Sequence, residues 1–234
     1  MPLSTQPIIG PVVEPITLYQ AKLQCGFGPM QDTDRAAEEI LGAQLRPFIV
    51  AARAIAENYM DRAIFNQTWI RTLDHFPIWW SMNSTVNPSY RKDWPYYSDY
   101  LNAVTIDVPR PKTNSVVSIT YVDQNNNVQT VDPCQYQVDL TSEPARITPV
   151  DGITWPSGMT YKPGSVVITY VAGSYGDGVL VDTCPQDLKA AIKLLLARLY
   201  QLGSPEPLDL KLISPAAGAL LDFYSNYNFS YRPA

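Results

Sequence analysis

The chain has 234 residues, long enough to bury a core without disulfide or metal staples. With 17 Lys and Arg against 22 Asp and Glu, the formal net charge is -5, and the chain lacks the basic face that gripping nucleic acid through its phosphates requires. Only 17% of the residues are charged while 46% are apolar, a poorly charged surface of the kind that partners cover. The three cysteines, Cys25, Cys134 and Cys184, are odd in number and widely spaced, which argues against a disulfide framework and for a reducing compartment. No basic stretch followed by an apolar run opens the chain, and no apolar window reaches membrane-spanning length. Synthesis in the cytoplasm as a soluble protein is therefore expected, with no membrane partner.

Residues 1–15 are rich in proline and read as an arm that orders only when something holds it. Thr17 is a fitting N-cap for a short helix through Leu18, Ala21 and Lys22, ended by Gly26 and Gly28. The first strong helix begins near Asp34. Leu41, Leu45, Phe48, Ala52, Ile55 and Tyr59 recur at helical steps as one apolar stripe, and Pro47 predicts a kink or a break at Arg46.

From Gln67 the period changes to two. Trp69, Arg71 and Leu73 face one way, and further on so do Val117, Ile119 and Tyr121, then Tyr136, Val138 and Leu140. The polar turn Asp123 to Asn127 predicts a hairpin between Val117–Val122 and Val128–Val131. Val166–Val171, apolar on both faces, belongs at the centre of a sheet. A second strong helix opens at Thr183 or Cys184 with Pro185 near its first position. Leu188, Ile192, Leu195, Leu199 and Leu202 form its stripe, and Gly203 and Pro205 close it. A short helix over Ala216–Tyr224 follows, and the tail then continues to Ala234.

Chemistry is sparse. His75 is the single histidine; as neighbours on a strand, Asp74 and His75 point to opposite faces, and no Gly-x-Ser-x-Gly elbow accompanies them. The Cys and His residues lack metal-ligand spacing, and Gly173–Gly178 lacks the lysine of a phosphate loop, so neither a metal nor a cofactor is expected. The compositional anomaly is the segment 76–101, which carries Trp79, Trp80, Trp94, Tyr96 and Tyr97. Three readings stay open for it: an accessory protein interface, packing on its own sheet, or a sugar-stacking platform. The end of the chain is aromatic and charge-poor, and Phe223, Tyr224, Tyr227, Phe229 and Tyr231 are the candidate docking contacts there.

In order, the chain carries Pro-Ile-Thr-Leu-Tyr-Gln-Ala-Lys, Ala-Ala-Arg-Ala-Ile-Ala-Glu-Asn-Tyr, Gln-Thr-Trp and Val-Pro-Arg-Pro. Tyr-Gln-Val-Asp-Leu-Thr-Ser-Glu-Pro-Ala-Arg-Ile, Val-Val-Ile-Thr-Tyr-Val-Ala-Gly and Cys-Pro-Gln-Asp-Leu-Lys-Ala-Ala-Ile follow. This series resembles the head-tail connector (adaptor) proteins of tailed bacteriophages over about Pro15 to Tyr224. The resemblance implies an α+β fold, a small α-helical bundle (16–64 and 180–224) with an inserted antiparallel β domain (65–179), an arm at 1–15 and a tail at 225–234. It also implies a structural virion protein at the head-tail junction, without catalytic residues. Such a protein contacts a portal protein, a tail or tail-completion protein and copies of itself in a twelvefold ring through which DNA passes without specific binding. The segment 76–101 departs from the family as an insertion, and residues 30–46 are extended. An aromatic-rich carbohydrate-binding β module is the alternative, and the helices at both ends weigh against it.

Overall fold

The computed structural model describes residues 5–28, 35–77, 104–160, 162–177, 179, 182–202 and 214–225. Among them are four helices and two antiparallel sheets, an α+β fold. The chain divides into two compact units, each assembled from separated stretches. One comprises Met1–Gly10 with Gln67–Ala172, the other Pro11–Asn66 with Gly173–Ala234.

The first unit holds both sheets. Strands β1 (Thr5–Ile9), β2 (Gln67–Leu73), β3 (Ile106–Val108), β4 (Thr113–Val122), β5 (Val128–Thr130), β6 (Tyr136–Asp139), β7 (Ala145–Pro149) and β8 (Val166–Ala172) occur in chain order. Five of them form a sheet in the order β1-β2-β8-β4-β5, and three form another in the order β3-β7-β6. The period-two pattern of β2 buries Gln67, Trp69, Arg71 and Leu73, and that of β8 buries Val166, Ile168, Tyr170 and Ala172. The register sets Trp69 opposite Tyr170, Arg71 opposite Ile168 and Leu73 opposite Val166, so one face of the sheet collects all of them. Strand β8 is central, as its apolar run predicts. The segment 1–15, read as an arm, is held at Thr5–Ile9 by pairing with β2.

The predicted hairpin forms between β4 and β5. Its turn is locked by Asp123, whose carboxylate accepts from the backbone N–H of Asn125 and Asn127 and from the Gln129 side chain at 2.8–3.0 Å, while Asn126 takes a left-handed φ of 63°. One expectation fails here. Val117 does not share a face with Ile119, because the register advances by two residues on β4 and one on β8 between Val116 and Ser118. That bulge leaves Val117 58% exposed while Ile119 is buried opposite Ile168. The aromatic core of this unit gathers on Phe76, which stacks on Trp155 at 5.0 Å and meets Tyr121 edge-on at 5.8 Å. The Trp155 indole N–H in turn donates to the Val104 carbonyl at 2.7 Å.

The second unit holds the helices α1 (Leu18–Gln24), α2 (Arg35–Met60), α3 (Gln186–Leu202) and α4 (Pro215–Asp222). Thr17 and Gln20 close a reciprocal capping box on α1, and the Ser214 hydroxyl accepts from the Ala217 N–H to cap α4. Pro47 neither breaks nor divides α2, which runs through it for 26 residues. The fully buried row of α2 is Leu45, Ile49, Ala52, Ala56 and Met60, which shares Leu45 and Ala52 with the predicted stripe and is turned to one side of it. Phe48, Ile55 and Tyr59 lie on its flank, where large side chains bury only one side. Ile49, Ala52, Ala56 and Met60 pack with Leu188, Ala191, Ile192, Leu195, Leu196 and Leu199 of α3, and Ile16, Ala21, Ile64, Phe65, Cys184, Ala217 and Leu221 complete the core.

Polar contacts tie distant parts of this unit together. Arg53 is buried between Glu57 at 2.6 Å and Glu14 at 2.8 Å, and the second oxygen of Glu57 accepts from the Ile64 N–H at 2.9 Å. The stretch 63–66 lies beside 173–176: Tyr175 N–H donates to Ile64 O at 2.8 Å and Asn66 N–H to Gly176 O at 3.1 Å. Gly173 is the close approach. A Cβ there would fall 2.3 Å from the Asn66 nitrogen.

Candidate assembly surfaces

A monomeric surface helix turns charge toward water. Helix α2 does not. Opposite its buried row runs a second apolar row of Ile40, Ala43, Pro47 and Val50, at successive steps of three, four and three residues. Ile40 is 62% and Val50 44% exposed, and Ala43 and Pro47 are exposed as well. Glu39 and Arg46, both exposed, flank the row on one side only. Helix α1 adds Tyr19, 62% exposed, and Leu23, 47% exposed, one turn apart on its outer side. The sequence carries this signal in the second helical row of α2, which a search for a single stripe passes over.

The sheet edges are a contrasting surface. Strand β1 is an edge strand that carries Pro7, which has no N–H to donate, and its register with β2 shifts between Pro7 and Ile9. At the other edge β5 is three residues long, and β4 bulges between Thr113 and Ser115 and again between Val116 and Ser118. Each is a device that spoils edge-to-edge pairing. Beside β2, the Arg110 guanidinium lies 5.1 Å from the centre of the Trp69 ring. Burial lowers the pKa of the neighbouring Arg71, and the negative charge of Asp107 works against that shift.

The predicted contacts at the chain's end separate. Phe223 closes α4 and is 83% exposed. Tyr224 is engaged inside the helical unit: its hydroxyl donates to the Asp187 carboxylate at 2.6 Å and its ring meets Tyr175 edge-on at 6.0 Å. Burial, with that bond to Asp187, holds the Tyr224 hydroxyl well above the usual phenol range, and the same bond lowers the Asp187 carboxyl. Tyr227, Phe229 and Tyr231 lie outside the described residues, as do Trp79, Trp80, Trp94, Tyr96 and Tyr97.

The candidates for chemistry fall apart in space. Asp74 accepts the Gly164 N–H at 2.9 Å, and His75 Nδ1 lies 2.9 Å from the Phe76 carbonyl oxygen, so the two are not aligned as a base and its orienting acid. Among the described residues no group of three His, Cys, Asp or Glu side chains could hold a metal ion. Among the same residues no helix is long and apolar enough to cross a membrane. Cys134 is exposed and Cys25 half-buried. Burial pushes the Cys184 thiol up to about 12.

No family model and no curated protein matches the chain. Solved structures of similar fold do exist. A chain from the neck of an empty gene transfer agent (GTA) particle, computed with C6 symmetry, is similar at a TM-score of 0.65 and 18% identity, covering 99% of this chain and 100% of that one. A chain from the virion of a native gene transfer agent particle has a TM-score of 0.60 at 16% identity, with 95% of each chain covered. A third, from the neck of a native particle computed with C12 symmetry, has a TM-score of 0.49 at 19% identity, covering 82% of this chain and 91% of that one. The likeness is one of fold.

Proposed function

We propose that this chain is a structural neck protein of a phage-like virion, a head-tail connector that forms a ring of copies between a portal protein and a tail protein. The observation that carries the reading is the similarity along 99% of the chain to all of a chain from a particle neck. In this reading the helical unit is the bundle of the connector and Gln67–Ala172 of the β unit is the insertion in it, and the work is binding, not catalysis. A net charge of -5 suits a channel wall along which DNA slides without being held. The exposed apolar row of α2 suits a subunit that is covered in its assembly.

Phe223 and the residues after it, Tyr227, Phe229 and Tyr231, dock on the portal or on a neighbouring subunit. Tyr224 anchors the start of that tail to α3 through Asp187. Electron microscopy of the purified protein mixed with tail-less, portal-bearing capsids tests the whole reading. Rings centred on the portal vertex are expected; capsids that stay bare at saturating protein overturn it. Truncation after Ser225, which keeps the Tyr224 bond, should leave a folded protein that no longer docks.

A further inference from the structure

Strand β1 has its partner in one unit and its anchor in the other. At the edge of the five-stranded sheet it pairs with β2, setting Thr5 opposite Arg71, Gln6 opposite Ile70, Pro7 opposite Trp69 and Ile9 opposite Thr68. The chain leaves the β unit at Gly10 and enters the helical unit at Pro11, where Arg53 donates to Glu14 at 2.8 Å and Ile16 is buried. Backbone pairing and not core burial holds the second half of the strand, since Pro7, Ile8 and Ile9 are all exposed, Ile8 at 56% and Ile9 at 61%. The lead behind it is similar: residues 7–13 hold no charge, and Val12 is 80% and Val13 41% exposed. A terminal edge strand on such a lead meets the condition for exchange between copies, because the same main-chain bonds form whichever copy supplies it. Residues 10–13 span about 13 Å at about 3.3 Å per residue, which limits exchange to an immediate neighbour.

We infer that in the assembled ring β1 of one copy completes the five-stranded sheet of the next, lying against that copy's β2 in the register it takes here. The inference rests on the proposed ring and assigns a link between its subunits. Each copy gives one strand and receives one, so the contact runs head-to-tail and closes with the ring. The outer edge of β1 suits a last strand: Pro7 has no N–H to donate and the register shifts between Pro7 and Ile9, so the sheet takes this strand and no further one. Passing between copies also covers Ile8, Ile9, Val12 and Val13, apolar side chains that a lone subunit leaves in water. Neighbours held side by side on a portal supply the high local concentration that favours exchange over closure within one copy.

Cysteines at the paired positions 9 and 68 test this, in a Cys134→Ser background that removes the exposed thiol. Copies with Ile9→Cys are mixed with copies with Thr68→Cys, assembled on portal-bearing capsids and oxidised. Neither copy holds both thiols, so a covalent dimer joined at positions 9 and 68 forms only by exchange; it is expected in mixed rings and absent from rings of either copy alone. The double variant Ile9→Cys/Thr68→Cys, oxidised before assembly, locks the strand into its own copy. Its ring occupancy should fall by about tenfold or more and return on reduction. Oxidised within rings, the same variant should give covalent chains longer than two, and crosslinking that stops at dimers overturns passage of the strand round the ring. Mixed rings without the dimer, or locked copies that assemble at wild-type occupancy, overturn the exchange while leaving the neck reading intact. Should a cysteine copy fail to fold, deletion of Met1–Gly10 decides: loss of rings from a protein with wild-type circular dichroism is expected, and undiminished rings overturn the inference. Absence of rings from the wild-type protein overturns the neck reading, and this link with it.

Discussion

The two units guard their surfaces in opposite ways. The β unit has open edges on its five-stranded sheet, and both are interrupted: by Pro7 and a register shift at β1, by two bulges and a three-residue partner at β4 and β5. The helical unit carries no such interruption on α2, where the row Ile40, Ala43, Pro47 and Val50 stays apolar and exposed. Unpaired backbone on an edge strand recruits any extended chain, whereas a helix face recruits only a surface of matching shape. Edge-to-edge pairing is therefore suppressed in the five-stranded sheet, while the apolar row of α2 stays uninterrupted. Their interiors differ too. Arg53, Glu14 and Glu57 bind distant parts of the helical unit by charge, while the β unit relies on strand register and on the Phe76, Trp155 and Tyr121 rings.

The largest expected effect is in the charged network. Glu57→Ala leaves Arg53 buried beside a lost partner and strips the Ile64 N–H of its acceptor. It should destabilise the helical unit by about 3–5 kcal/mol, read as lost amide protection over 45–60 and 188–199 with the strands less affected. Phe76→Ala should cost about 3–5 kcal/mol and reverse that pattern, with protection lost in β4 and β8 first. Equal loss in both units from either variant would break the contrast between them. Gly173→Ala, which drives a Cβ into the Asn66 backbone, should cost about 1–3 kcal/mol and lower the melting temperature without touching either core.

Smaller effects concern titration and thiols. The Asp139 carboxyl is held well below its ordinary value of 3.8 by hydrogen bonds from Ser142 and then Thr141. A carboxylate whose pKa is lower folded than unfolded stabilises the fold above the unfolded value and loses that contribution as pH falls through the folded one. The Thr141 and Ser142 amides should thus keep their chemical shifts down through pH 4 and move only in stronger acid. Asp139→Asn should abolish that step. Least of all in energy, a thiol reagent at pH 8 should label Cys134 at once and Cys184 only on unfolding, since burial keeps Cys184 protonated. Early labelling of Cys184 would show that the helical core opens more readily than its packing implies.

Much of the local structure was legible in the residues. Thr17 and Pro185 mark the starts of α1 and α3 by chemistry that acts within a few positions. The alternation of β2 and the Asp123–Asn127 turn likewise depend on neighbours in sequence. The two described candidates at the chain's end differ in their surroundings. Phe223 was named and stands exposed, whereas Tyr224 was named with it and is bonded to Asp187, 37 positions away.

What the sequence by itself determined is therefore the α+β class, the helices and the alternation of β2, because capping, turn chemistry and period are short-range, whereas β1, β3 and β7 are set by the strands they pair with. What only the tertiary structure decided is how far the inward face of α2 is turned from the stripe Leu41, Leu45, Phe48, Ala52, Ile55 and Tyr59. Ile49, Ala56 and Met60 join Ala52 in the core because α3 packs against that side, while Phe48, Ile55 and Tyr59 pack half-buried at its margin. The same holds for β4. Its parity shifts at Val117 because β8, a strand some fifty residues distant in sequence, sets the register, and no property of Val117 alone records that choice.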